Sequence, residues 1–201
     1  MSNGDHDAFV MFFILWALYF LLRALQKLKD GPFVESYRSM DKVRSGFRDC
    51  YRANRLALAY AVMGGICLAA VELTWKGFTY VTVIIIAYFF VQLLLDRFTG
   101  RDSLPVTMVV STMLFTGLLV GAPYYIGMNL WQSWYDIPTL MAFGALFLGL
   151  GFSATRSKPW TLVLPAFLLA AAVAVLLMWL VVPEMLASLL SGQGYFGYNK
   201  L

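Results

Sequence analysis

Three features of the sequence predict an all-α, polytopic membrane protein of about six transmembrane helices. Of its 201 residues, 61% are hydrophobic and only 13% are charged, too little polar surface to cover a soluble domain of this size. The mean hydropathy is +0.73, and the apolar residues gather into runs close to the ~20 residues that cross a bilayer. These runs do not alternate as barrel strands do, so helices, which satisfy their own backbone, are expected. The net charge of +4 is modest and implies no nucleic-acid partner; membrane lipids are the expected surroundings. Cys50 and Cys67 fall in a basic loop and in a span, which makes neither a disulfide framework nor a zinc pattern. Acids rather than a basic n-region precede the first apolar run, so no cleavable signal peptide is read.

The chain reads as a single transmembrane domain over 1–201, with spans at about 8–26, 56–75, 78–95, 105–128, 138–153 and 159–182. The fifth run is short and is expected to borrow residues from the Trp134 side. Thirteen of the Lys and Arg residues fall in or beside the loops after the first, third and fifth spans, against Lys76 and Lys200 on the other side. The positive-inside rule then places both chain ends outside the cytoplasm. The 27–55 loop is predicted to hold an amphipathic helix opened by Pro32, with Phe33, Tyr37, Met40, Val43, Phe47 and Cys50 or Tyr51 at helical spacing. Such a helix either lies on the inner leaflet or is a solvated orienting loop.

In the second span Ala57, Ala61, Gly65 and Ala69 recur every four residues, and Gly117 and Gly121 do so in the fourth. Stripes of this kind let helices approach closely. Trp131, Trp134 and Tyr135 suit an interfacial aromatic belt, with Asp136 beside them in water. Glu72, near the end of the second span, is expected to snorkel to the surface or to pair with Lys76 four positions on; the alternative is a cavity shared with the acids at the chain start. No acid or base lies mid-span and no inverted repeat is visible, which argues against a transporter.

Gly4-Asp5-His6-Asp7 stands where the chain enters its first span. Carboxylates at that place either cap the helix, with Asp5 as N-cap and Asp7 in the first turn, or hold a hard divalent cation. The run from Gly4 to Leu15, closing with Tyr19-Phe20-Leu21-Leu22-Arg23-Ala24-Leu25, resembles the second acidic motif and following span of oligosaccharyltransferase catalytic subunits, the archaeal branch most nearly. Glu72-Leu73-Thr74-Trp75-Lys76-Gly77 is similar to the Thr/Ser-Trp-x-Gly at the end of that family's next span. The closing Tyr195-Phe196-Gly197-Tyr198-Asn199-Lys200-Leu201 resembles the start of its long external loop, here 183–201.

The resemblance implies an inverting, metal-dependent glycosyltransferase of protein N-glycosylation in the cell (plasma) membrane. It transfers an oligosaccharide from a polyprenyl (dolichyl) phosphate carrier to the Asn of Asn-x-Ser/Thr acceptor segments. It assigns Asp5 and Asp7 as catalytic residues and ligands of Mn²⁺ or Mg²⁺, with His6 at a variable place. The family's first acidic motif, its external-loop Glu and its Trp-Trp-Asp-type soluble domain have no counterpart here, so the expectation is an internal transmembrane fragment, inactive alone. A transporter portion and a non-catalytic membrane scaffold are the alternatives.

Overall fold

The computed structural model describes residues 3–75, 77–130, 135–181 and 183, with side chains from Asp7 onward except those of Met178 and Val181. It is all-helical, with seven helices among these residues: α1 (Asn3–Gln26), α2 (Met40–Ala53), α3 (Arg55–Thr74), α4 (Phe78–Thr99), α5 (Leu104–Gly127), α6 (Asp136–Ala154) and α7 (Trp160–Val181). All but α2 are long and apolar enough to span a membrane. The short fifth run is lengthened at its start, the helix beginning at Asp136. The chain forms two compact units, Met1–Arg156 and Ser157–Leu201. In the second, α7 is uniformly apolar and most of its side chains are exposed, as a helix facing lipid requires.

In the first unit α3 is the central element, packed on both α1 and α5. Its small-residue stripe lies in the interface, with Ala57, Ala61 and Ala69 fully buried. A Cβ on Gly65 would stand 2.5 Å from the Met113 carbonyl oxygen of α5, so the two backbones touch as only glycine permits. On α1, Val10, Ala17, Leu21 and Ala24 are buried, whereas Phe12, Leu15, Tyr19 and Leu22 are exposed, the outward face of a membrane helix.

The backbone amide of Lys29 donates to Asn54 Oδ1 at 2.8 Å, bringing the end of α1 to the start of α3. Tyr125 Oη donates to the Glu72 carbonyl oxygen at 2.6 Å, bringing the ends of α3 and α5 together. The bundle thus has an Asp7 end and a basic end. At the basic end Gly100, with φ +72°, stops α4 in the left-handed conformation and lets Arg101 N–H donate to the Asp96 carbonyl oxygen at 2.8 Å.

The basic loop departs from expectation. Its helix begins at Met40, not at Pro32, and residues 32–39 run irregularly beneath it. The cause is distant. Asp102, in the α4–α5 connection, accepts hydrogen bonds from Phe33 N–H at 3.3 Å, Leu104 N–H at 3.0 Å and Ser153 Oγ at 2.7 Å, and Tyr37 Oη lies 2.5 Å from Ser153 Oγ. These bonds hold the segment out of helix. Burial pushes the Tyr37 hydroxyl upward in pKa, so it stays protonated. The apolar face of α2 is spent on the protein: Val43, Phe47 and Cys50 pack with Val34, Leu104, Met108 and Leu150. The helix is therefore clamped to the bundle by this face, not floated on a leaflet by it.

Candidate functional site

Asp5 and Asp7 both fall at the start of α1, which takes in the chain from Asn3. Asp5 therefore stands inside the first turn rather than at the cap. Its side chain, like that of His6, lies outside those described. Asp7 is exposed, at the end of the bundle where α3 and α5 also finish. A hard divalent cation takes carboxylate oxygens, so Asp7 fits as one ligand. Position 5 is two residues earlier on the same helix, and residues two apart do not share a face. Among the described residues no group of three or more His, Cys, Asp or Glu is arranged to hold a metal ion.

Glu72 overturns the expectation set for it. It does not snorkel: only 2% of the residue is exposed, and Oε2 has no hydrogen-bond partner among the described residues. Lys76, the expected partner, lies outside the described residues. The carboxylate turns inward against α5. A Cβ on Gly117 would stand 3.1 Å from Oε1, and one on Gly121 would stand 2.9 Å from Oε2. The second glycine pair read from the sequence is therefore the hollow that receives an acid.

Tyrosines wall this hollow. Tyr135, expected in an interfacial belt, is buried to 1% exposure and stacks on Tyr125 with ring centroids 4.6 Å apart. Its hydroxyl donates to the Leu118 carbonyl oxygen. Burial, with Glu72 and Tyr125 adding to it, pushes that hydroxyl upward in pKa, so it remains a donor. Trp131 and Trp134 lie outside the described residues. Beside Glu72 a cavity of about 160 Å³ is lined by Thr74, Trp75, Tyr124 and Tyr125.

The tyrosines were missed, because nothing local in Tyr124-Tyr125 or Tyr135 marks them as partners of residue 72. Asp102 was missed too, although Asp102-Ser103-Leu104-Pro105 is a readable helix start.

The fold and this arrangement define an integral membrane protein of the all-α class, with Asp7, the buried Glu72 and the Tyr125–Tyr135 stack at one end of its bundle. Residues 3–162 match the family model described as Oligosaccharyl transferase STT3, N-terminal. The chain belongs to that family. No curated protein and no solved structure matches it.

Proposed function

We propose that the chain is the membrane core of an oligosaccharyltransferase that moves an oligosaccharide, with inversion, from a polyprenyl (dolichyl) phosphate carrier to Asn in Asn-x-Ser/Thr segments. The observation that carries the reading is the family match over residues 3–162, which takes in Asp5, Asp7 and Glu72. In this reading Asp5 and Asp7 serve as ligands of Mn²⁺ or Mg²⁺, completed by carboxylates from elsewhere in the enzyme. The ion, when bound, supplies Lewis-acid stabilisation of the phosphate leaving group. The first turn of α1 has to open, or the two acids have to share the ion with other groups between them, since successive alternate positions face apart. Both chain ends lie on the external side of the plasma membrane, supported by the concentration of Lys and Arg at the other end of the bundle. In this reading the enzyme is of the archaeal type.

The test uses the full-length natural protein in nanodiscs, with lipid-linked oligosaccharide, an Asn-x-Ser/Thr peptide and Mn²⁺. Wild type glycosylates the peptide, chelation stops it, and Asp5→Asn and Asp7→Asn each lower transfer by about a hundredfold or more, the scale of a lost charge-stabilising group. All variants elute as wild type does. Undiminished transfer by both variants overturns the site assignment, and no transfer by intact wild type favours the scaffold reading.

A further inference from the structure

α1 and α4 both lean on α5 and leave a cleft between them. Its upper half is an apolar cavity of about 200 Å³, with Leu18, Leu21 and Leu22 on one wall and Ile84 and Ile85 on the other. Below it lies a second cavity of about 200 Å³, walled by Leu25 and Leu28 on one side and Gln92 and Asp96 on the other, and ending at Asp30 and Arg101. Tyr88 lines both. The lining residues recur at three- and four-residue steps on each helix, 18 to 25 on α1 and 84 to 96 on α4, so each wall is one continuous face.

The cleft changes character along its length. Leu22 and Ile84 are more than half exposed and open to the hydrocarbon. From Tyr88 downward a polar ladder begins: Tyr88 Oη donates to Gln92 Oε1 at 3.3 Å, and Gln92 Nε2 donates to Asp96 Oδ1 at 2.8 Å. It leads to Asp30 and Arg101, held 3.8 Å apart with most of both side chains in the open. Asp102 is engaged inward with Phe33, Leu104 and Ser153. From Ile84 to Asp96 is ~18 Å along α4, about half of the ~30 Å hydrocarbon core. The cleft is one leaflet deep, apolar at mid-membrane and charged at the basic end.

We propose that this cleft binds one phospholipid whose headgroup carries both a phosphate and an ammonium, as phosphatidylethanolamine does. An acyl or isoprenoid chain lies along Leu18, Leu22, Ile84 and Ile85. The phosphate meets Arg101, and the ammonium meets Asp30 with Asp96 behind it. Charge selects the headgroup, because an anionic lipid without an amine would set its phosphate among carboxylates with nothing to offer them. Size excludes a helix as occupant: at 10–12 Å across it would need several times the space.

The experiment is native mass spectrometry of the intact protein extracted from bilayers of phosphatidylethanolamine, phosphatidylcholine and phosphatidylglycerol in equal amounts. Wild type is expected to retain one phosphatidylethanolamine, about tenfold over phosphatidylglycerol, the selectivity expected of one charge-assisted contact. Asp30→Asn with Arg101→Gln, both at the surface, keeps a bound lipid but brings the two headgroups within about twofold. Leu22→Phe with Ile84→Phe fills the apolar half and loses the lipid altogether. Retention of phosphatidylglycerol in preference, no retained lipid, unchanged selectivity in the charge variant, or a dimer that dissociates in the Phe variant overturns the proposal. Should the Phe variant fail to fold, the charge variant alone decides it.

Discussion

Replacing Gly65 by alanine tests how closely α3 and α5 are packed. The added Cβ would stand 2.5 Å from the Met113 carbonyl oxygen and 2.6 Å from Thr116 Cβ, where ordinary contact begins at 3.4 Å. The shortfall is about 0.9 Å, and one partner is backbone, which cannot swing aside as a side chain does. The helices have to separate along a seam that buries Ala57, Ala61, Ala69, Val109 and Met113. Overpacking of this kind costs about 1–3 kcal/mol, against a helix-propensity gain of up to ~1 kcal/mol for losing a glycine. A net destabilisation of about 1–2 kcal/mol is expected. Gly117→Ala is milder, since its new methyl meets the flexible ends of Glu72 and Leu68 at 3.1 and 3.3 Å, and Gly144→Ala meets nothing within 4 Å. Reversible unfolding in mixed micelles should therefore rank Gly144→Ala at or above wild type, Gly117→Ala near it and Gly65→Ala clearly below. A Gly65→Ala protein as stable as Gly144→Ala would refute the close backbone approach.

Further expectations follow from the same packing. Glu72→Gln keeps the shape and replaces a buried acid with a neutral amide, so the folded protein should be at least as stable as wild type, because any ionised carboxylate there would cost several kcal/mol; a loss above about 1 kcal/mol in unfolding assays would contradict it. Asp102→Ala leaves Phe33 N–H, Leu104 N–H and Ser153 without their acceptor and should cost about 2 kcal/mol, seen as faster proteolysis across residues 29–39. Burial pushes the Cys50 thiol from an ordinary value of 9.0 up to about 12. In a Cys67→Ala background its alkylation should be slow and keep accelerating past pH 9, whereas a plateau near pH 9 would mean an exposed thiol. The same shift makes its stability contribution complete below pH 9 and lost as pH rises toward 12.

What the sequence made legible was local in origin. The six spans follow from run length, and the stripe at 57, 61, 65 and 69 follows from a four-residue period, so both are present in short windows of chain. The amphipathy of α2 was legible in the same way, but not what covers its apolar face. Val34 and Leu104 supply that cover, and residues 32–39 are held out of helix by Asp102, 69 positions beyond Phe33. Glu72 shows the same limit. Its closeness to a span end argues for solvation, yet Gly117 and Gly121, more than 40 residues away, open the space that buries it. Asp5 and Asp7 could be named only through a family likeness, because two acids on one turn carry no geometry that distinguishes a cap from a ligand pair.

The Asp102 hub also bears on the order in which the protein is made. Each span can enter the bilayer alone, since a helix satisfies its own backbone. The hub cannot form until three far-apart pieces have arrived: the segment around Phe33 and Tyr37, the start of α5, and Ser153 near the end of α6. While synthesis is still short of α6, the α1–α2 segment has its charges in position but not its fastening. Completion of α6 locks it, so the basic end reports that five spans have been inserted and packed in register.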